Sequence, residues 1–105
     1  MQVFQQLLTF GASAVQLTSP PPLACKIYAE PLVSNTGTAY VGTSTVTNNG
    51  TGTGVISELP KPGQVAQQSP NHFCVGCAGH NIIDPTQFYF HGTSGDKLKV
   101  TLYVV

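Results

Sequence analysis

Near the end of the chain, Leu98, Val100, Leu102 and Val104 alternate with Lys97, Lys99, Thr101 and Tyr103. Side chains of a strand point to opposite faces in turn, so this run predicts a half-buried β-strand with one oily face and one mostly wet one. A second alternation precedes it at residues 87–91, with Phe88 and Phe90 on one side and Gln87, Tyr89 and His91 on the other. Between the two lies Gly92-Thr93-Ser94-Gly95-Asp96, turn chemistry with two glycines able to take positive φ. The expectation is an antiparallel hairpin that closes the chain, with the upstream segments supplying its sheet partners.

Those segments read as short extended runs separated by turn residues. Residues 14–18, 25–30, 38–42 and Val55–Leu59 each fit a strand, and residues 44–47 continue the third after a kink at Gly42. Pro31 and Pro60 mark edges or ends, and Pro20-Pro21-Pro22 is a stiff connector that cannot donate ladder hydrogen bonds. Residues 48–54, rich in Asn and Gly, read as an exposed hairpin loop; Asn49-Gly50-Thr51 within it matches the glycosylation acceptor pattern, which matters only in a secreted eukaryotic protein. At the start, Val3, Phe4, Leu7 and Leu8 fall at helical i, i+4 spacing. A helix that short is marginal alone, and an extended arm packed on a neighbouring subunit is an equal reading. The fold class expected is all-β: a small antiparallel, jelly-roll-like β-sandwich. Residues 1–13 form an N-terminal arm or first edge segment and residues 14–105 a single sandwich domain. A long irregular loop, residues 61–86, is inserted before the C-terminal hairpin.

Composition removes several function classes. Only 8% of the 105 residues are charged, against roughly 25% in ordinary soluble proteins. The cations are Lys26, Lys61, Lys97 and Lys99, the anions Glu30, Glu58, Asp84 and Asp96, and there is no arginine. Neutralising a nucleic-acid backbone needs clustered Lys and Arg that this chain does not have, so no nucleic-acid partner is expected. Nor is a membrane partner, because no stretch approaches the ~20 apolar residues of a span. Ala12-Ser13-Ala14 mimics a leader cleavage site, but no Lys or Arg precedes Lys26 and Gln5, Gln6 and Thr9 interrupt the apolar run, so no removed leader is expected. Polarity comes instead from Thr, Ser, Asn and Gln, 32 residues together. A weakly charged surface repels its neighbours poorly, which suits a subunit of an assembly.

Chemistry-bearing residues concentrate in His72-Phe73-Cys74-Val75-Gly76-Cys77-Ala78-Gly79-His80. His72, Cys74, Cys77 and His80 supply the types and number of a Cys2His2 metal site, with Gly76 and Gly79 easing a tight turn. Nine residues is cramped for four ligands, and a disulfide or a pair of unremarkable thiols competes with that reading. Cys25 reads as a small buried side chain. There is no Gly-x-Ser-x-Gly elbow, no phosphate-binding Gly-x-x-x-x-Gly-Lys and no obvious carboxylate pair. No catalytic residue and no cofactor is therefore assigned, and the chain is expected not to be an enzyme.

One pattern is familiar. The segment Asn35-Thr36-Gly37-Thr38-Ala39-Tyr40-Val41-Gly42-Thr43-Ser44-Thr45-Val46 and the ending Phe88-Tyr89-Phe90-His91-Gly92-Thr93-Ser94-Gly95-Asp96-Lys97-Leu98-Lys99-Val100 resemble the small β-sandwich virion structural proteins of tailed bacteriophages. The resemblance covers about two-thirds of the chain and is made of turn-and-strand motifs. It departs between Leu59 and Pro85, where similar proteins have a shorter link, so it is silent on the Cys/His cluster. What it implies is a non-enzymatic component of the virion. A head-decoration or cement protein on the capsid surface comes first, with a tail, neck or fibre-attachment part as the alternative. Its implied partners are the major capsid protein and copies of itself, commonly as a homotrimer. A receptor- or carbohydrate-binding sandwich using Tyr28, Tyr40, Tyr89 and Tyr103 ranks behind these.

Overall fold

A computed structural model describes residues 2–49, 54–61, 73–76 and 82–104. The strands are β1 (Val3–Thr9), β2 (Ala24–Pro31), β3 (Ala39–Gly42), β4 (Val55–Leu59), β5 (Phe73–Val75), β6 (Tyr89–His91) and β7 (Lys97–Val104). A 3-10 turn, Pro85–Gln87, is started by Asp84, whose carboxylate accepts from the Thr86 N–H. The strands form two antiparallel sheets, ordered β1-β7-β2-β5 and β4-β3-β6. The all-β, two-sheet expectation holds.

β7 is the centre of the larger sheet. Its alternation works as expected: Leu98, Val100 and Leu102 are fully buried while Lys97, Lys99 and Thr101 are not. They meet Ile27 and Ala29 from β2, Leu8 from β1, and Val41, Leu59 and Phe90 from the smaller sheet in one core. Burial at this density, about 25 cal/mol per Å² of apolar surface, is what holds the two layers together.

The expected closing hairpin is not formed. β6 pairs with β3 in one sheet, and β7 pairs with β1 and β2 in the other. Residues 92–96 are thus a corner from one sheet to the other. The reason lies in what fills the corner. Phe10 enters it, donating its N–H to the Asp96 carbonyl and accepting the Gly95 N–H at 2.9 Å each. Its ring lies where a Cβ on Gly92 would be, and Gly95 has a φ of 92°, so each glycine is required for a separate steric reason. The outer edge of β6 is taken by Val15, which exchanges both backbone hydrogen bonds with Phe90 at 2.8 Å. That exchange is the part of the expected 14–18 strand that pairs.

The corner is latched to the loop after β2. The buried Asp96 carboxylate accepts from the Thr36 N–H (2.9 Å), the Thr36 hydroxyl (3.1 Å) and the Gly37 N–H (2.9 Å). Beside it, Asn35 donates Nδ2–H to the Lys97 carbonyl (2.8 Å), while its Oδ1 accepts the Lys97 N–H (2.9 Å). The side-chain amide does for β7 what the peptide of a paired strand would do.

Other expectations are corrected. The helical spacing of residues 3–9 does not give a helix; of the alternatives for the N-terminus the structure shows the edge segment, β1, in continuous register with β7 from Val3 opposite Tyr103 to Thr9 opposite Lys97. Residues 44–47 turn away after Gly42 and add no strand. The segment expected to be an irregular insertion contains β5, paired to β2, and Ile83, which exchanges backbone bonds with Ala24.

Asp96→Ala removes an acceptor that three donors share and is expected to cost roughly 2 kcal/mol, with Asn35→Ala costing a comparable amount. Because both act on the same corner, the double variant should lose less than the sum of the two. Urea midpoints of the four proteins test this, and strict additivity would show that the two side chains are not one unit.

Candidate functional site

With no cleft holding converging polar groups among the described residues, the candidate site is a surface: the outer face of the four-stranded sheet. Registry builds it in rows. Val3, Tyr103 and Lys26 lie side by side, then Gln5, Thr101, Tyr28 and Cys74, then Leu7, Lys99 and Glu30. The Lys26 ammonium sits 4.8 Å from the centre of the Tyr103 ring and 5.9 Å from that of Tyr28. Gln5 donates to the Thr101 hydroxyl at 2.9 Å. Lys99 and Glu30 form an ion pair at 2.9 Å with both side chains over a third exposed, a geometry worth little in water. Lys97, on the same face, donates to the Thr9 hydroxyl at 2.9 Å, so Lys99 and Glu30 offset one another while Lys26 and Lys97 keep their charge. What is left to a partner is a surface of Tyr, Thr and Gln that still carries the Lys26 and Lys97 charges, with two half-exposed aliphatic side chains, Val3 (57% exposed) and Leu7 (50%).

Tyr28 and Tyr103, two of the four candidate sugar-binding tyrosines, do share this face. The ammonium of Lys26 occupies one face of each ring, however, which is the surface on which a sugar would stack. Tyr40 lies on the other sheet, paired with Glu58 on β4 and His91 on β6, and Tyr89 is opposite Gly42 in the same sheet. Burial holds the Tyr40 hydroxyl above the ordinary tyrosine pKa of 10.0, helped by the Glu58 carboxylate, while a hydrogen bond with Thr38 works the other way. His91 is buried, and its Nδ1 accepts the Gly92 N–H at 2.9 Å.

Cys74 lies on β5 opposite Tyr28 and is in a disulfide whose other half lies outside the described residues. A sulfur bonded in this way is not a thiolate donor. The other three candidate ligands, His72, Cys77 and His80, lie outside the described residues. Gly76, expected to ease the turn after Cys74, has a φ of 83°. Among the described residues no three His, Cys, Asp or Glu side chains come together as a metal site. Cys25 is a free thiol, half-buried rather than buried, placed at the bulge between Ala24 and Lys26 and donating to the Tyr103 carbonyl at 3.3 Å. Sequence reading overlooked the row Val3, Gln5, Leu7, because a helical spacing and a strand spacing both contain i and i+4.

No protein-family model matches the chain, and none of the curated proteins or solved structures compared with it matches either.

The raised pKa of Tyr40 gives a pH prediction. The unfolded chain loses this proton first, so stability falls as pH rises from the unfolded value of 10.0 through the folded one. Urea midpoints measured from roughly pH 9 to 11 should fall less steeply in Tyr40→Phe than in the natural chain. Equal slopes would mean that burial and Glu58 do not act on this hydroxyl.

Proposed function

We propose that this chain is a non-enzymatic structural subunit of a bacteriophage particle, first of all a head-decoration or cement protein. It would stabilise the shell by protein–protein contacts with the major capsid protein and with copies of itself. The observation that carries the reading is the outer face of the four-stranded sheet. Each of its charged groups has a partner within the face, Lys99 with Glu30, Lys26 over tyrosine rings and Lys97 on the Thr9 hydroxyl, and Val3 and Leu7 stand half-exposed among Tyr, Thr and Gln. With Lys26, Lys97 and Lys99 against Glu30 the face is only weakly charged and steers an encounter weakly; it suits contacts that are made once and kept. Many weak copies of one contact on a lattice add up through effective concentration, without any chemistry in the subunit. The net charge of zero and the resemblance of the turn-and-strand motifs to those of virion sandwich proteins support the same reading.

The test is location. Antibody raised against the purified chain should decorate the heads of purified particles in electron micrographs, and the chain should be present at many copies per particle by quantitative mass spectrometry. Label confined to the tail or neck would move the protein to the alternative part of the virion. Absence of the chain from washed particles would remove the reading altogether.

A further inference from the structure

We propose that the free edge of β1 pairs, antiparallel and about a two-fold axis at Gln5, with β1 of a second copy of this chain. The starting point is which backbone groups of β1 are spoken for. Gln2 accepts from Val104, and Phe10 donates to Asp96, at the two ends of the ladder with β7. In an antiparallel ladder the hydrogen-bonded residues alternate, so Phe4, Gln6 and Leu8 turn their N–H and C=O groups to β7. Val3, Gln5, Leu7 and Thr9 turn theirs outward, and among the described residues no backbone or side-chain group bonds to them. Thr18 comes near, but its N–H goes to the side-chain oxygen of Gln6, leaving the outer ladder open.

Exposed edges in monomeric proteins are normally blunted by a lysine, a proline, a bulge or shortness. β1 has none of these. Its seven residues, Val-Phe-Gln-Gln-Leu-Leu-Thr, contain no charge and no proline, and its register with β7 runs without a shift. The sequence of the edge is also complementary to itself. A two-fold axis at Gln5 sets Gln5 against Gln5 and Val3 against Leu7, twice over. All of these are outward-bonding residues, so each exchanges N–H···O=C bonds with the residue facing it. The same register brings the two half-exposed aliphatic side chains of β1 together on the outer face. Centring the axis on Gln6 instead would set Leu7 against Gln5 and Val3 against Thr9, leaving both aliphatics beside polar groups. The axis at Gln5 is therefore the register that buries most apolar surface. Such an isologous contact uses up both edges and closes at two copies, joining the four-stranded sheets into one continuous sheet. It does not rest on the particle reading, since two copies pair or fail to pair irrespective of where the protein is used.

Sedimentation equilibrium over a concentration series should show reversible association to twice the 11.0 kDa chain mass. In the associated form the amides of Val3, Gln5 and Leu7 should exchange with solvent more slowly than in the dilute form, while those of Phe4, Gln6 and Leu8 stay protected in both. Gln5→Pro removes an N–H that points away from the fold, so the monomer should persist while association weakens by roughly tenfold or more. Gln5→Lys and Gln5→Glu put like charges on the axis and should each be monomeric, and mixing them should restore a dimer. This charge pair keeps the test decisive if the proline disturbs the strand. A natural chain that stays monomeric, one that forms a trimer, or a dimer indifferent to Gln5→Pro overturns the proposal. So does failure of the Lys and Glu variants to pair on mixing.

Discussion

The pairing of Asn35 and Asp96 with the backbone across from them is the constraint on which the two-layer arrangement rests. Lys97 is the first residue of the central strand, and a strand start inside a sheet needs both of its polar backbone groups satisfied. β2 has ended at Pro31, opposite Leu98, and beyond it only the Leu32 N–H reaches the Lys97 carbonyl, at 3.4 Å, leaving the Lys97 N–H without a ladder partner on that side. The Asn35 amide takes over, and the neighbouring Asp96 carboxylate gathers the donors of the loop that carries Asn35. The loop after β2 and the crossing from β6 to β7 are thereby fixed to one another, and the sheets they belong to inherit that relation.

With the corner held by hydrogen bonds, the strands need few charges: β1, β3 and β5 carry none, and the larger sheet has only Lys26, Glu30, Lys97 and Lys99. In most small domains charged side chains on the wet face of a sheet keep molecules apart. Here the wet face satisfies itself: Lys26 over two tyrosines, Lys99 with Glu30, Gln5 with Thr101. A surface arranged in this way leaves a partner few polar groups without a bond already made. That property favours long-lived contact between proteins over recognition of a charged ligand.

How much of this was legible in the sequence differs from element to element. The strict alternation of residues 97–104 announced β7 and its buried face, because period two over that length has one structural meaning. β4 and its stop at Pro60, and the turn at Gly76, followed from residue chemistry of the same local kind. The corner did not. Gly92 to Asp96 has the composition of a hairpin loop, and whether such a loop folds a strand back or hands it to another sheet is decided by Phe10 and Thr36, some eighty and sixty residues away. β1 was ambiguous for a different reason. Apolar residues on both of its faces, Phe4 and Leu8 inward and Val3 and Leu7 outward, blur the two-fold period and imitate a helical stripe. Of the Cys/His cluster, the sequence left a chelate, a disulfide and unremarkable thiols open at Cys74, because spacing alone does not tell them apart; the disulfide is what forms.

The order of the larger sheet has a consequence for how the polypeptide comes into being. β7, emitted last of the strands, lies between β1 and β2, which are emitted first and second. Until it leaves the ribosome, β1 has no strand to pair with and β2 has only β5, and the oily sides of Leu8, Ile27 and Ala29 wait for Leu98, Val100 and Leu102 to cover them. Folding must then wait and proceed through contacts between distant parts of the chain, a slow route with a window for misassembly. A nascent chain of this topology depends on quick completion, or on a holding chaperone, more than one whose neighbouring strands pair as they appear.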